Sequence, residues 1–284
     1  MRYMKVKKLA LALVSIVTIA TSVMPVSAQA ATSVSYETQL TTSVAEQEEQ
    51  AQALLKKLNI ANTYTMEQRY TSTSSTTNFG YICYRPEESK DESKALIIYL
   101  HGKDGCGSDL NKLLQIEGIP NYIANGYVYP DAVVIAPQCP TGSSWVAQAK
   151  NVMELIMQVI EEENIDPSRI SITGASLGGI GTYYLAYTYP NFFSAVVPVC
   201  GNVNASRCSV INDCPVWIFH GTLDTAMGFS CKEATTVINN AGGNCTLTWI
   251  QNEGHEIRHV YYDAEYNLLD WMASQQRVVV TEEE

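Results

Sequence analysis

The residue with the clearest chemical potential is Ser176, which lies in the pattern Gly-x-Ser-x-Gly between Gly174 and Gly178. The segment before it, residues 169–173, is typical of a short strand, and the apolar run over residues 180–189 is typical of a helix. A strand, a sharp turn and a helix expose a serine hydroxyl at the top of a sheet, where it can act as a nucleophile. The flanking glycines are needed because neighbouring backbone passes too close for a Cβ atom. The pattern therefore predicts nucleophilic catalysis by Ser176.

A serine nucleophile needs a base and an acid that orients the base. Downstream of Ser176, Asp224 follows His220-Gly221 at the end of one predicted strand, and His255 follows the last predicted strand. The carboxyl ends of parallel strands meet at one edge of a sheet, so we expect these residues to meet in the chain order serine, acid, histidine. The alternatives are a turn aspartate and a surface-loop histidine. The remaining candidates are the acids Glu253, Asp213 and Asp263 and the base His259.

The oxyanion that forms when a carbonyl is attacked needs hydrogen-bond donors. Leu177 directly follows the serine at a predicted helix start, where backbone N–H groups lack intrahelical partners. The segment His101-Gly102-Lys103 follows another predicted strand and matches the His-Gly of oxyanion loops. We expect the backbone N–H groups of Lys103 and Leu177 to bind the oxyanion. His101 and His220 are expected to support their loops rather than to react.

The elements that must hold these loops alternate between strands and helices. Continuous apolar runs over residues 95–100 and 132–136 are typical of buried parallel strands, and residues 147–163 carry apolar side chains at helical spacing. This alternation predicts an α/β domain with a mainly parallel central sheet and helices on both faces. The other predicted elements are an edge strand over 79–85, a largely helical segment over 109–124, strands over 195–200, 216–219 and 246–250, a helix over 231–240 and a closing helix over 258–275.

The first 30 residues have the basic start, apolar middle and small-residue end of a signal peptide. Residues 31–70 are predicted to form a flexible leader with one short helix over 50–58, and residues 71–284 the catalytic domain. Cleavage after residue 30 would leave 254 residues and change the formal charge from −11 to −15, because the removed segment holds four basic residues and no acidic one. So acidic a protein is a poor candidate for binding nucleic acid or an anionic membrane. We expect secretion, with no membrane association after cleavage.

The chain holds eight cysteines, an even number that an exported protein can pair in disulfides. Cys208 and Cys214 lie close together in a polar loop and form the most economical local bridge, although connectivity cannot be deduced from sequence. Cys139 and Cys200 stand at the ends of apolar strands, where buried thiols are the alternative. The absence of a Cys-x-x-Cys pair and the presence of only four histidines argue against a zinc site. No metal or organic cofactor is predicted.

Further motifs accompany the candidate residues in order along the chain. They are Leu100-His101-Gly102, Ala136-Pro137-Gln138-Cys139-Pro140 followed by Trp145, Ile165-Asp166-Pro167-Ser168-Arg169-Ile170, the segment from Gly174 to Thr182, Val197-Pro198-Val199-Cys200-Gly201, the segment from Pro215 to Gly221, and Gly254-His255. With these motifs, residues 79–275 resemble secreted bacterial α/β-hydrolases. The resemblance is to the proteins labelled predicted peptidases or prolyl-oligopeptidase-like hydrolases, and to esterases of the feruloyl, acetylxylan and polyhydroxybutyrate-depolymerase type.

The resemblance implies an α/β-hydrolase fold, and it implies that Trp145, together with Gly102, lines the substrate site; a core tryptophan is the alternative for Trp145. Only about a dozen residues, 201–214, separate two predicted strands, so we expect no large lid domain. Two departures from the family are visible. Leu177 replaces a common methionine, which leaves the backbone N–H unchanged. The tryptophan often found shortly after the catalytic histidine is absent from residues 256–259, which leaves the details of the substrate pocket open.

Together these residues predict a serine hydrolase that cleaves carboxylic esters through an acyl-enzyme. The resemblance implies small-molecule or polysaccharide-linked substrates, such as feruloyl or acetyl esters of plant polysaccharide. One alternative is a serine peptidase of prolyl-oligopeptidase type, and another is a non-catalytic binding module on a hydrolase scaffold. Intact serine, aspartate and histidine argue against the binding module. Catalysis by a neutral imidazole should weaken as the pH falls through the usual histidine pKa of about 6.5.

Overall fold

The computed structural model describes residues 64–71, 79–86 and 93–277. The predicted signal peptide, residues 1–30, and the predicted helix over residues 50–58 lie outside these ranges and stay predictions. None of the helices in the described ranges is both long enough and apolar enough to cross a membrane.

The described residues form one eight-stranded sheet in the order β1-β2-β4-β3-β5-β6-β7-β8. The pairs β1–β2 and β2–β4 are antiparallel, and every other neighbouring pair is parallel. This confirms the predicted mainly parallel sheet. The strands are β1 (Tyr64–Tyr70), β2 (Gly80–Pro86), β3 (Lys94–Leu100), β4 (Val133–Pro137), β5 (Ile165–Ala175), β6 (Ala195–Val199), β7 (Pro215–Gly221) and β8 (Asn244–Ile250).

Six α-helices in the described ranges cover the two faces of the sheet. The helices α3, α4 and α5 pack into one hydrophobic cluster, and α1, α2 and α6 pack into the other. The strand residues divide between the clusters by alternation: Leu96 and Ile98 of β3 face the first, whereas Ile97 and Tyr99 face the second. The helices are α1 (Asn111–Gln115), α2 (Ile119–Ala124), α3 (Trp145–Glu162), α4 (Leu177–Thr188), α5 (Ser230–Asn240) and α6 (Leu268–Ser274).

The N-terminal edge of the sheet differs from its prediction in two ways. Residues 64–70, assigned to the flexible leader, form β1, so the ordered sheet begins before the predicted boundary at residue 71. The strand predicted over residues 79–85 forms β2, which is not an edge strand because β1 covers it. Ion pairs hold β1 in place: Arg69 Nη1 lies 2.6 Å from Glu163 Oε1, and Glu67 Oε1 lies 3.1 Å from Arg85 Nη2.

The C-terminal end also differs, because no single helix covers residues 258–275. A short 3₁₀ helix, Arg258–Tyr261, is followed by turns, and α6 begins only at Leu268. The break falls at Asn267, which has a left-handed backbone with φ of 45° and so cannot continue a right-handed helix. Asparagine tolerates this conformation better than most residues do.

The predicted bridge between Cys208 and Cys214 is not formed, since all eight cysteines are free thiols. Both residues are buried in the cluster on the α3–α5 face, where a free cysteine packs as a small apolar side chain. Between β6 and β7 the chain forms only a six-residue 3₁₀ helix, Ala205–Val210, so this connection holds no lid domain.

The turn between β5 and α4 depends on glycines that sit against backbone. A Cβ atom on Gly174 would lie 2.6 Å from the carbonyl oxygens of both Gly178 and Leu100. A Cβ atom on Gly178 would overlap the Leu100 carbonyl outright. Helix α4 therefore packs its first turn directly onto the end of β3, which brings Ser176 and the loop after Leu100 to the same place.

We predict that Gly178→Ala lowers the free energy of unfolding by about 3 kcal/mol or more, because the overlapping atoms belong to the backbone of β3 and cannot swing aside. Chemical denaturation measures the change. Gly142→Ala is the matched control: Gly142 has φ of 78° with no atom near its missing Cβ. That variant should lose only about 1 kcal/mol, the cost of a left-handed conformation. Equal losses in the two variants would contradict the role of close backbone packing.

Candidate active site

Ser176 occupies a strained turn between β5 and α4. Its φ of 58° and ψ of −115° lie outside the regions that residues with a Cβ atom ordinarily adopt. The backbone holds this conformation from both sides: the Ser176 N–H donates to the Val199 carbonyl at 2.9 Å, and its own carbonyl accepts from the Ile180 N–H at 3.0 Å. Strain of this kind persists where the surroundings enforce it, and it is common at functional sites.

His255 and Asp224 come together beside this serine, as the sequence predicted. The Nδ1 atom of His255 lies 2.8 Å from Asp224 Oδ2, and its Nε2 atom lies 2.7 Å from Ser176 Oγ. A carboxylate can only accept, so Nδ1 carries the proton and Nε2 is left to accept from the serine hydroxyl. The result is one continuous chain of hydrogen bonds from Asp224 to Ser176.

Asp224 is completely buried and its second oxygen is also occupied. Its Oδ1 atom accepts from the N–H groups of Ala226 at 2.8 Å and Met227 at 3.1 Å. Burial disfavours the charged carboxylate, but the hydrogen bonds from His255 and these two amides outweigh burial and lower the pKa of Asp224. The site thus keeps a negative charge beneath the imidazole.

The fallback candidates lie in other environments. Glu253 Oε1 is 3.5 Å from His259 Nε2, so these two pair with each other. Asp263 accepts from the N–H of Glu265 in a turn, and burial raises the pKa of Asp213 near Arg277. The acid that hydrogen-bonds His255 is Asp224.

A second buried imidazole, that of His220, lies next to Asp224. Its Nε2 atom is 3.5 Å from Asp224 Oδ2, and its ring makes edge contacts with Phe229 and Trp249. Burial lowers the pKa of His220, although the Asp224 charge and the Gly228 backbone oppose the shift. The neutral, packed ring fits the expected supporting role.

The two expected oxyanion donors lie at two neighbouring helix starts. Leu177 is the first residue of α4, and Lys103 is the first residue of a 3₁₀ helix, Lys103–Gly105. The N–H group at such a position has no intrahelical acceptor. The loop that carries Lys103 lies against the turn between β5 and α4, which we call the elbow, since a Cβ atom on the preceding Gly102 would sit 3.6 Å from the Ala175 carbonyl.

His101 connects this loop, which we call the oxyanion loop after its expected role, to the loop that follows β4. Its Nδ1 atom lies 2.6 Å from the Gly102 carbonyl, and its Nε2 atom accepts from the Cys139 N–H at 3.0 Å. A carbonyl only accepts, so the proton is on Nδ1 and the ring is neutral. Burial lowers the pKa of His101 to about 4, and the bond to Gly102 offsets only part of that shift.

Trp145 does not line the substrate site as the family resemblance implied. It is 1% exposed and belongs to the hydrophobic core of the α3–α5 face. Its Nε1–H donates to the His101 carbonyl at 2.9 Å, and the two rings meet edge to face at 4.9 Å. A buried indole needs a partner for its N–H, and here the partner is the oxyanion loop itself. Trp145 therefore holds His101 in place at the start of this loop.

Two residues near the oxyanion loop were given no role from the sequence. Gln138 donates from Nε2 to the carbonyls of Gly105 and Asp109, both at 3.0 Å. Arg258 is almost fully buried and donates from Nη1 to Asp104 Oδ2 at 2.7 Å. Gln138 belongs to one of the motifs behind the family resemblance, so that motif was the available signal. Nothing in the pattern around Arg258 indicated burial.

One group of possible metal ligands is found in the described ranges. The ligand atoms of Cys200, Asp224 and His255 lie within 4.8 Å of one another. Two of these three groups already hydrogen-bond each other, and burial raises the pKa of the Cys200 thiol to about 12. A metal would have to displace the proton between Asp224 and His255, so this group fits a proton-transfer site better than a metal site.

A family model described as phospholipase/carboxylesterase matches residues 83–269, about two thirds of the chain. The chain belongs to this family. Family membership confirms the expected α/β-hydrolase fold, because the match spans the sheet from β2 to β8 and extends into α6. It also covers Ser176, Asp224 and His255.

Two curated relatives are similar to parts of this phospholipase/carboxylesterase family member. The bifunctional acetylxylan esterase/xylanase of Neocallimastix patriciarum is 29% identical over 150 residues, which cover 48% of this chain and 22% of the relative. Acetylxylan esterase A of Emericella nidulans is 27% identical over 138 residues, which cover 44% of this chain and 43% of the relative. The chain thus spans less than half the length of these curated relatives.

The crystal structure of a thermostable esterase gives a longer match. It is 25% identical with a TM-score of 0.66, and the match covers 75% of this chain and 63% of that one. Structural similarity therefore extends over three quarters of this chain.

We predict that His101→Asn reduces the dependence of stability on pH. In the unfolded chain the pKa of the His101 imidazole is about 6.5, whereas in the folded protein it is about 4. Between these two pH values His101 is therefore protonated in the unfolded state and neutral in the folded state. His101 therefore lowers the free energy of unfolding as the pH falls, by on the order of 2 kcal/mol between pH 7 and pH 5. Denaturation of wild type and variant at both values measures the difference.

The control is His259→Gln, which removes a partly exposed imidazole outside the oxyanion loop. It should retain the wild-type loss between pH 7 and pH 5. An undiminished loss in His101→Asn would contradict the neutral, doubly hydrogen-bonded state of His101.

Proposed function

We propose that this protein is a serine hydrolase that cleaves carboxylic esters through an acyl-enzyme, with Ser176, His255 and Asp224 as its catalytic triad. The observation that carries the proposal is the continuous hydrogen-bond chain from Asp224 through His255 to the strained Ser176. Family membership supports the class of reaction, because phospholipases and carboxylesterases both cleave esters.

Each group has one chemical task in this mechanism. His255 Nε2 takes the hydroxyl proton as Ser176 Oγ bonds to the ester carbonyl carbon, and the N–H groups of Lys103 and Leu177 hold the resulting oxyanion. The tetrahedral intermediate collapses, and the leaving alcohol departs with the proton from His255. Water then attacks the acyl carbon and gives a proton to His255. His255 passes this proton to Ser176 Oγ as the second tetrahedral intermediate collapses to the acid and the free serine. Asp224 stays ionised and stabilises the imidazolium.

We propose accessible acyl esters as the substrate class, with acetyl or feruloyl groups on plant polysaccharide as the leading candidates. The two curated relatives are named as acetylxylan esterases, which supports acetyl groups. The connection between β6 and β7 holds only a 3₁₀ helix, so no domain inserted there covers the serine. Polysaccharide lies outside the cell, so this proposal goes with export by the predicted signal peptide.

We predict that wild type hydrolyses p-nitrophenyl acetate and methyl ferulate and that Ser176→Ala loses this turnover, by a factor of about 10⁴ or more, because the nucleophile is gone. An Ala-Pro anilide is assayed in parallel. The spectrophotometric rates decide between the proposed reactions. Ester turnover lost in the variant supports the proposal, whereas turnover confined to the anilide would make the protein a peptidase.

Labelling by a fluorophosphonate probe provides the control on the nucleophile. Wild type should be labelled at Ser176, and Ser176→Ala should not be labelled. The absence of turnover on all three substrates, together with no labelling, would contradict the proposal and favour the binding module.

We predict that Asp224→Asn lowers kcat about 10⁴-fold while the fold is retained, since the amide favours the wrong tautomer of His255. Steady-state kinetics on p-nitrophenyl acetate measures the loss. Asp263→Asn is the matched control, because Asp263 accepts only from a turn N–H and does not contact His255. A loss of tenfold or less in Asp224→Asn would remove Asp224 from the triad.

A further inference from the structure

We propose that Arg258 is a positioning residue that holds the oxyanion loop in register with the loop carrying the base. The proposal rests on the function proposed above. Arg258 lies three residues after His255, in the segment that lacks the tryptophan common in the family it resembles, and the mechanism above gives it no task.

The guanidinium of Arg258 bridges three separate segments. Arg258 is the first residue of the 3₁₀ helix that follows His255. Its Nη1 atom donates to Asp104 Oδ2, on the oxyanion loop, at 2.7 Å. The same nitrogen lies 3.4 Å from the Glu117 carbonyl, just before α2. The base loop and the oxyanion loop are therefore joined by a charged side chain as well as by their packing.

Gly102 shows how closely this ion pair fits the loop. A Cβ atom on Gly102 would lie 2.9 Å from Arg258 Nη2 and 2.7 Å from Asp104 Oδ1. On its other side the same position faces the Ala175 carbonyl of the elbow at 3.6 Å. Gly102 is thus clamped between the ion pair and the turn that carries Ser176. The next residue, Lys103, supplies one of the two proposed oxyanion donors.

Arg258 keeps its charge although it is almost completely buried. Burial disfavours the guanidinium charge, but Tyr99, Asp104 and Glu256 together outweigh that effect and the pKa of Arg258 is raised. Burying a charge is expensive unless it is paired and hydrogen-bonded, so a buried guanidinium paired with the partly exposed Asp104 points to a specific geometric requirement. Here the requirement is the position of the Lys103 N–H relative to Leu177 and His255.

A bridge of this kind acts on the transition state rather than on substrate binding. The oxyanion exists only after Ser176 attacks, so a displaced Lys103 N–H weakens an interaction that the bound ester does not make. Loss of the bridge should therefore lower kcat and leave KM nearly unchanged. Loss of one oxyanion donor outright costs about 10²- to 10³-fold in rate, which sets the upper limit for displacing it.

The test compares Arg258→Met with Arg207→Met. Methionine keeps the length and apolar stem of arginine at position 258 and removes the guanidinium. The control removes an exposed guanidinium that lies over the Tyr187 ring, on the 3₁₀ helix between β6 and β7. For p-nitrophenyl acetate we expect kcat of Arg258→Met to fall about 10- to 100-fold, with KM changed less than about threefold. Arg207→Met should match wild type.

A trifluoromethyl ketone inhibitor adds a readout that a merely structural role would not affect, because its hemiketal places an oxyanion in the same hole. Its inhibition constant should rise in Arg258→Met by the same factor as kcat falls. Asp104→Asn, which keeps the shape of a partly exposed side chain, should show a smaller change in the same direction, and its effect should largely disappear when combined with Arg258→Met. An unchanged inhibition constant, or a loss confined to KM, would overturn the proposal.

Hydrogen–deuterium exchange of the peptide covering residues 101–107 tests the positioning without any turnover. Protection of this peptide should fall in Arg258→Met and stay at the wild-type level in Arg207→Met. Unchanged protection would overturn the positioning role even if kcat falls. If wild type neither turns over esters nor reacts with fluorophosphonate, the proposed function fails, and exchange still decides whether Arg258 orders the loop.

Discussion

The contact between the first turn of α4 and the end of β3 is the constraint on which the rest of the site depends. The backbones meet there with no room for a Cβ atom on Gly174 or Gly178, so the turn between them must bend sharply. The bend puts Ser176 at φ of 58° and lifts its side chain off the sheet. The same contact presses the loop after Leu100 against the elbow. One close approach therefore positions both the candidate nucleophile and one of its proposed oxyanion donors.

Around that contact, polar side chains are used to fix loops. Hydrogen bonds to main-chain atoms of the loops beside Ser176 are formed by the side chains of His101, Trp145 and Gln138. Each of these side chains is buried, so an unmade bond would carry the full cost of desolvation. The arrangement makes displacement of the loop costly. Preorganised donors of this kind stabilise a developing charge without having to reorient first.

The sequence was most informative where buried strands and catalytic spacing left strong patterns. Apolar runs located β3 and β4, and the order of Ser176, Asp224 and His255 along strand ends placed all three at one sheet edge. Strand β1 was missed because Tyr-Thr-Met-Glu-Gln-Arg-Tyr has neither an apolar run nor a clean alternation. Trp145 was misplaced because an indole in a core and one in a pocket look alike in sequence. Arg258 was missed because its burial depends on partners such as Asp104, which is distant in the chain.

The polar side chains of β1 also affect whether the edge of the sheet can pair with another copy of the chain. An outermost strand offers unpaired backbone groups to any other extended chain, and a long apolar one invites intermolecular pairing. Here the outermost strand carries Glu67 and Arg69, which engage Arg85 and the nearly buried Glu163. A second chain that paired along this edge would bring its own side chains against fixed charges. Among the described strands, β1 therefore presents an edge whose charged side chains disfavour edge-to-edge pairing.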